Sequence, residues 1–230
     1  MASSLATELR EGAAALGLDL SHDQLQQLAD YMALLQKWNR VYNLTAVREP
    51  AQMLRQHLLD SLAAVPPMQR MLRQRAAPAQ ARLLDVGSGG GLPGVVLAIT
   101  CPELQVTCVD AVAKKAAFIR QAAVALQLRN LTSLHARVEA INGGFDVICS
   151  RAFAALPDFV RWTMHLVADG GCWMAMKGQH PGEEIAALPS TVKVFHVEQL
   201  SVPGLDAQRC IVWIEKLGDS AAQSVVRAPG

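Results

Sequence analysis

The sequence predicts an α/β protein with a mostly parallel, seven-stranded sheet, an antiparallel end strand and an N-terminal helical extension. From Arg82 onward, short apolar runs alternate with helical stretches, a pattern typical of a parallel sheet covered by helices on both faces. No helical stretch separates the last two apolar runs, which favours a hairpin. The last two strands are therefore expected to form an antiparallel hairpin at the end of an otherwise parallel sheet.

The chain is predicted to divide near residue 80. Residues 1–80 form the helical extension, residues 81–218 the sheet domain, and residues 219–230 a disordered tail. In the extension, Ser21 and Gln24 resemble a capping box, and Pro50 suits the first turn of a later helix. Pro66-Pro67 is expected to end that later helix, and residues 73–81 are expected to form a connector.

The elements of the sheet domain follow from the apolar runs and the turn residues between them. The predicted strands are Arg82–Val86, Gln105–Asp110, Leu131–His135, Phe145–Ser150, Gly171–Lys177, Val192–Gln199 and Cys210–Lys216. The predicted helices are Gly94–Thr100, Ala113–Leu128, Leu156–Val167 and Gly182–Leu188.

The composition indicates a globular protein, because 51% of the residues are hydrophobic and 18% are charged. We find no membrane span and no signal peptide, and we expect a cytoplasmic protein. The five cysteines form no CxxC pair, so neither a disulfide framework nor a metal site is expected. The net charge is only +1, yet residues 37–75 carry seven Lys and Arg against two acidic residues, a net +5. This segment could bind phosphates or be a solvated surface.

The most informative segment is Leu83–Gly94, in which an apolar strand leads through four glycines to a fifth that opens a helix. Such a loop lies at the carboxyl ends of the strands, where open α/β sheets bind ligands. Gly89, Gly91 and Gly94 satisfy the dinucleotide pattern G-x-G-x-x-G, which taken alone is weak evidence. The loop predicts a Rossmann-like ligand site.

Two carboxylates bear on which ligand the loop binds. Asp85 ends the strand before the loop, where an acid disfavours a pyrophosphate and suits the cationic methionine part of S-adenosylmethionine. Asp110 ends the next strand and could accept both ribose hydroxyls of an adenosine, or cap the following helix. Adenine is expected near Val138-Glu139, after the third strand. The reacting methyl group is expected near Arg151, after the fourth; Arg151 could also be a plain surface ion-pair partner.

The sequence also contains motifs that together are more specific than the glycine loop. They run in order across roughly residues 20–216 and are LQKWNRVYNLT (35–45), HLLDSL (57–62), DVGSGGGLPG (85–94), Asp110 with Lys114–Ile119, RVE (137–139), SRA (150–152) and Lys177-Gly178. On these residues the chain resembles the bacterial small-subunit ribosomal RNA guanine-N7 methyltransferase family, also called glucose-inhibited division protein B.

The resemblance implies a class I methyltransferase that uses S-adenosylmethionine and methylates the N7 of guanine 527 in 16S RNA, as naked RNA or in a 30S or pre-30S particle. It also implies that the N-terminal helices help to bind RNA. It places cofactor contacts at Gly87, Leu92, Val138, Glu139 and Arg151. Arg151 is also our candidate for positioning the reactants, and Gly89 and Asp110 are cofactor candidates from the pattern of the loop and the strand ends.

Three other functions remain open from the residues alone: a nicotinamide-dependent oxidoreductase, a non-catalytic RNA-binding module and a small-molecule methyltransferase. Guanine N7 carries no proton, so in-line transfer needs no general base. His57 and Asp60 could contact each other as a structural or a catalytic pair. Trp38 is expected in the core rather than as a base-stacking platform, and Lys177 could meet an RNA phosphate or be solvated.

Overall fold

The helical part of the chain packs as several helices against one face of the sheet. A computed structural model describes residues 2–75 and 77–217, so the predicted tail at 219–230 lies outside the described residues. The helices of this part are α1 (Ala2–Ala15), α2 (His22–Tyr42), α3 (Pro50–Met53), a π-helical segment (Leu54–Leu59), α4 (Asp60–Leu62) and α5 (Val65–Gln74).

The predicted starts of two N-terminal helices are confirmed: Ser21 caps α2, and Pro50 lies in the first turn of α3. The Ser21 hydroxyl accepts from the Gln24 backbone N–H, and the Gln24 side chain accepts from the Ser21 N–H, so the capping box is present. The later helix ends at Leu62, ahead of Pro66-Pro67, but the prolines do not form a break: they lie in the first turn of α5, which runs from Val65 to Gln74. Proline fits the first turn of a helix, where its missing N–H would have no helical partner.

The sheet has seven strands in the order β3-β2-β1-β4-β5-β7-β6. They are β1 (Arg82–Val86), β2 (Gln105–Asp110), β3 (Leu131–His135), β4 (Phe145–Arg151), β5 (Val167–Lys177), β6 (Val192–Leu200) and β7 (Arg209–Lys216). Strands β1 to β5 pair in parallel, whereas β7 is antiparallel to both β5 and β6. The predicted antiparallel strand and the terminal hairpin are thus confirmed.

The helices that connect the strands are α6 (Gly94–Thr100), α7 (Ala113–Ala125), α8 (Leu156–Thr163) and α9 (Gly182–Ala186). Single turns of 3₁₀ helix lie at Val138–Ala140 and Met164–Leu166. Predicted and observed boundaries differ by a few residues, mostly at the helix ends. The largest differences are four residues, at the end of α8, where a 3₁₀ turn follows Thr163, and at the start of β5. Strand β5 begins early because its first residue pairs with β4 beyond a bulge.

Alternate residues of the central strands enter two hydrophobic clusters on opposite faces of the sheet. Leu83, Cys108 and Trp213 belong to the cluster that also contains residues of α1, α2, α6 and α7. Leu84 and Trp173 belong to the cluster under α8. The strands are therefore buried on both faces, as a parallel sheet requires. The N-terminal helices contribute to the same cluster as the sheet.

Candidate functional site

The glycine loop between β1 and α6 forms the centre of the carboxyl edge of the sheet. Gly87 and Gly89 have φ angles of +65° and +57°, a backbone region that suits glycine. The Val109 carbonyl of β2 accepts from the Gly87 N–H, at 2.9 Å. The loop is thereby fastened to the neighbouring strand and presents its backbone to the space above the sheet.

Asp110 at the end of β2 braces this loop. Its Oδ2 accepts from the Gly89 N–H at 2.9 Å, and its Oδ1 accepts from the Val112 N–H at 2.8 Å. The latter bond orders the turn before α7, whose N-cap is Val112 and has no side-chain cap, so Asp110 supports the loop and does not cap the helix. The carboxylate remains at the edge where a ribose would be expected.

Asp85 lies behind the loop and lines neither of the two cavities described below. It is fully buried, and its Oδ2 accepts from the Gly94 N–H at 2.9 Å, at the start of α6. Burial raises its pKa to about 7, although the Gly94 hydrogen bond acts in the other direction. The expectation that Asp85 receives the cationic part of a cofactor is therefore corrected: its side chain is buried behind the loop, where it supports the start of α6.

A main cavity of about 520 Å³ opens between the glycine loop and the N-terminal helices. It is lined by Leu35, Leu44, Thr45, Gln56, His57, Asp60, Gly87, Ser88, Gly89, Gly90, Leu92, Lys115, Arg151, Ala152, Met176, Lys177, Gly178 and Arg209. Four of these side chains are cationic and one is a carboxylate. Of the predicted site residues, this cavity brings together Gly87, Gly89, Leu92 and Arg151.

A second cavity of about 200 Å³ lies on the other side of Gly87. Its lining includes the predicted residues Gly87, Asp110, Val138 and Glu139, together with Phe153 and Trp162. The rings of Phe153 and Trp162 meet at 72° with their centroids 5.7 Å apart. All seven predicted cofactor residues thus lie on one cavity or the other, and Gly87 lies on both.

Arg151 is held by the N-terminal helices rather than being a free surface cation. Its Nη1 donates to the Asp60 carboxylate at 2.8 Å and to the Gln56 carbonyl at 2.9 Å. The Asp60 carboxylate also accepts from Arg209 Nε, at 2.7 Å. The plain surface ion pair considered from the sequence is excluded, because the Arg151 side chain is only 18% exposed.

His57 and Asp60 do not form the pair considered from the sequence. The Nε2 of His57 lies 2.7 Å from the Thr45 hydroxyl, whereas Asp60 pairs with the two arginines. Burial lowers the pKa of His57, and the charge of Arg151 lowers it further. A neutral His57 therefore fixes the NLT segment and adds no charge to the cavity at pH 7.

Two further residues near the cavities were interpreted from the sequence with alternatives left open. Lys177 lines the main cavity and donates to Glu184 Oε2 at 2.7 Å and to the Ala154 carbonyl at 3.0 Å, so it is not simply solvated. Trp38 packs edge-on against Phe118 with ring centroids 5.5 Å apart, which supports the core interpretation over base stacking.

Phe153 and Arg209 are among the residues of the site that the sequence analysis missed. Phe153 directly follows the SRA motif, and this position beside a motif of the site is the signal that could have indicated it. Arg209 begins β7, and its position depends on the antiparallel return of that strand, which the local sequence does not specify.

Known proteins resemble this chain over most of its length. The sequence pattern described as "rRNA small subunit methyltransferase G" matches residues 24–212. The chain belongs to this family. It is similar to ribosomal RNA small subunit methyltransferase G of Acidovorax sp. strain JS42, with 67% identity over 90% of this chain and 93% of the relative. The corresponding protein of Paracidovorax citrulli is 61% identical over 99% of this chain and 97% of its own length.

Solved structures support the fold alone. TrmN from Thermus thermophilus matches with a TM-score of 0.53 and 22% identity, over 71% of this chain and 53% of that one. The ribosomal protein L11 methylase from Lactobacillus delbrueckii subsp. bulgaricus matches with a TM-score of 0.53 and 12% identity, over 69% of this chain and 79% of that one. The predicted class I fold and the predicted methyltransferase activity of this family member are confirmed, and the oxidoreductase alternative is wrong.

In the ranges 2–75 and 77–217, none of the helices combines the length and the hydropathy that crossing a membrane requires. The same ranges contain no group of three or more His, Cys, Asp or Glu side chains placed to hold a metal ion.

Proposed function

We propose that this chain transfers a methyl group from S-adenosylmethionine to the N7 of a guanine in small-subunit ribosomal RNA, guanine 527 by family resemblance. The observation that carries the proposal is the main cavity. It joins the backbone of the glycine loop to four cationic side chains, and the N-terminal helices form its opposite wall. Family membership supports the same conclusion.

The residues at the carboxyl edge fit S-adenosylmethionine. Gly87 and Gly89 leave backbone without a Cβ beside the crevice, and Asp110 at the end of β2 would accept the ribose hydroxyls. The second cavity, with Val138 and Glu139, would hold the adenine. The methionine part would extend into the main cavity, where Arg151 would pair with its carboxylate.

Methyl transfer to guanine N7 does not require a side chain that acts as a general acid or a general base. When bound, S-adenosylmethionine supplies an electrophilic methyl group on a sulfonium. Guanine N7 is an acceptor with a free lone pair and no proton, so a base is not needed to activate it. The side chains of the cavity would act by holding the base in line with that methyl group, which contributes up to about 7–11 kcal/mol in favourable systems.

The substrate would reach the cavity between the sheet and the N-terminal helices. The net +5 of residues 37–75 and the cations of the cavity attract a polyanion. Bases in RNA are generally recognised when they are unpaired, and the cavity offers apolar walls at Leu35 and Leu44 beside the polar groups of Thr45 and His57. We therefore propose an unpaired guanine as the group that enters.

Methyl transfer is tested with radiolabelled S-adenosylmethionine. The full chain is incubated with isolated small-subunit RNA and, in parallel, with 30S particles from cells lacking this activity. We expect label in one or both substrates, and mapping should place it on a single guanine N7. Label on another atom or on scattered bases would contradict the proposal, as would retention of RNA without transfer. Calorimetry that detects NAD binding but no S-adenosylmethionine binding would contradict the cofactor.

A further inference from the structure

One buried carboxylate from the helical part holds two arginines that come from different strands of the sheet. The Asp60 side chain is only 4% exposed. Its Oδ2 accepts from Arg151 at the end of β4, at 2.8 Å, and its Oδ1 accepts from Arg209 at the start of β7, at 2.7 Å. Both carboxylate oxygens are thus used to fix guanidinium groups that line the main cavity.

The Arg209 guanidinium is held in place without using all of its donors. It donates from Nε to Asp60 and from Nη1 to the Gln208 carbonyl, at 2.8 Å. A guanidinium has five N–H groups, so further donors remain available to a ligand. Arg209 is 25% exposed at its side chain, which leaves it accessible from the cavity. It is therefore oriented in advance toward an anion.

The charges around Arg151 and Arg209 leave a net positive charge that favours binding of an anion. Asp60 neutralises one of the two arginines, and Lys177 is neutralised by Glu184. Lys115 lies 4.0 Å from Asp110. One positive charge therefore remains at the Arg151–Arg209 pair, within a partly enclosed space. Two anionic groups could meet it: the carboxylate of the cofactor and a phosphate of the substrate.

The position of each arginine in the sheet assigns these two roles. Arg151 ends β4, which is the direct neighbour of β1 and of its glycine loop. Arg209 starts β7, which lies three strands from β1 in the order β1-β4-β5-β7. At about 4.8 Å between strands, this separation is about 14 Å. Both guanidinium groups reach Asp60 and so lie close together, but only the strand of Arg151 adjoins the strand that carries the glycine loop. A cofactor seated on that loop would therefore present its carboxylate to Arg151, which leaves Arg209 for the substrate.

We infer that Arg209 contacts a phosphate of the RNA substrate and that Asp60 is a positioning residue that holds the Arg209 guanidinium for this contact. The inference rests on the proposed function and deepens it. Arg209 supplies a planar set of donors that matches a phosphate, and one fixed phosphate beside the cavity sets the register of the neighbouring base.

The contact is tested by binding of isolated small-subunit RNA to the full chain at several salt concentrations. Arg209→Gln is expected to weaken RNA binding about tenfold, because it removes a charge-assisted contact. The slope of log affinity against log salt should decrease in magnitude by about 0.7, the contribution of one phosphate on a single strand. Affinity for S-adenosylmethionine should stay within about twofold of the wild-type value.

Arg129→Gln is the matched control, since it makes the same charge change at an exposed residue just before β3, at the opposite edge of the sheet. It should leave both the affinity and the slope close to wild type. Arg209→Lys keeps the charge but lacks the planar donor set, so affinity should fall while the slope stays near the wild-type value.

Asp60→Asn separates positioning from simple electrostatics. The substitution makes the cavity more positive, so charge alone predicts tighter RNA binding. A positioning role predicts weaker binding with an unchanged salt slope, because Arg209 keeps its charge but loses its fixed orientation. Thermal unfolding is measured alongside; if Asp60→Asn does not fold, Arg209→Lys tests the same requirement for a fixed planar donor set.

Three results would overturn the inference: Arg209→Gln binding RNA as well as Arg129→Gln does, Arg209→Gln losing S-adenosylmethionine affinity as strongly as RNA affinity, or Asp60→Asn binding RNA more tightly. Failure of the proposed function is recognised separately. A wild-type chain that binds the RNA without transferring methyl contradicts that function but leaves the Arg209 comparison interpretable. A wild-type chain that binds no RNA contradicts both.

Discussion

The ring of Phe153 packs directly on the backbone of Gly87. A Cβ added to Gly87 would lie 2.2 Å from Cδ2 of that ring, well inside van der Waals contact. Gly87 lies on both cavities, and Phe153 lines the second one. The loop that follows Arg151 therefore closes over the loop that follows β1, at the point where the two cavities meet.

Gly87→Ala is expected to abolish S-adenosylmethionine binding and to lower stability by about 1–3 kcal/mol. The φ angle of +65° strains an alanine, and the new Cβ would displace the Phe153 ring. Calorimetry and chemical denaturation measure the two effects. Gly17→Ala is the control, since its φ is +73° but a Cβ there would meet no atom within 4 Å. A Gly87→Ala protein that binds the cofactor normally would contradict the proposed cofactor seat.

Binding of S-adenosylmethionine should change the fluorescence of Trp162. A ligand that spans both cavities must pass Gly87, where the Phe153 ring lies, and that ring contacts Trp162. Movement of Phe153 would alter the surroundings of the indole. Titration of the wild type should give a saturable signal that disappears in Trp162→Phe, while calorimetry shows that this variant still binds. A signal that survives the substitution would assign it to another tryptophan.

Asp110→Asn is expected to weaken S-adenosylmethionine binding by about 10-fold to 100-fold. The amide keeps one acceptor for the Gly89 N–H but loses the second carboxylate oxygen and the charge that favour ribose hydroxyls. Calorimetry provides the affinity. Asp169 is exposed and lies near the start of β5, at the end of the parallel strands away from the glycine loop, so the control variant Asp169→Asn should bind as the wild type does. Equal affinities of the two variants would remove Asp110 from the cofactor site.

Asp85 makes stability depend on pH in an identifiable window. Its pKa is raised from 3.8 to about 7 in the folded chain, so between these values the folded state binds a proton that the unfolded state has released. The free energy of unfolding contributed by this group therefore decreases as pH rises from about 4 to about 7. Asp85→Asn should remove this decrease, measured as denaturation curves of both proteins at pH 4.5, 6 and 7.5. A constant difference between them across this range would contradict the raised pKa.

Arg151→Ala is expected to reduce kcat/KM for methyl transfer by about 10-fold to 100-fold without unfolding the chain. The variant loses a cation beside the glycine loop, whereas Asp60 keeps Arg209 as a partner. Label transfer gives the rate, and circular dichroism reports on folding. Arg161→Ala, on the exposed side of α8, serves as the control. An unchanged rate in Arg151→Ala would exclude it from the site.

The sheet could be predicted from the sequence because its features are local. Apolar runs, the glycines after β1 and the Ser21 capping box each fix structure over a few residues. The helix that contains the prolines was missed for a local reason as well, since proline can begin a helix as readily as end one. The fold class required only these local patterns and their order.

The site was less predictable where it depends on long-range pairing. The contact between Asp60 and Arg209 joins residues 149 positions apart, and no short motif specifies it. The direction of the Asp85 side chain depends on which face of β1 it occupies, which the end of an apolar run does not reveal. The positions of Gly87, Asp110 and Val138 were accessible because strand ends in a parallel sheet meet at one edge.

The hydroxyl of Tyr31 donates to the Gly90 carbonyl, and Leu35 lies beneath the same glycine. Helix α2 thus packs against the glycine loop and supports it. A shortened protein that begins at β1 would lose this support, and the apolar residues of α6 and α7 that pack against α2 would become exposed. A smaller enzyme therefore has to keep the N-terminal helices. Because Tyr31 is bonded to the glycine loop, substitutions at Tyr31 should alter cofactor affinity as well as stability.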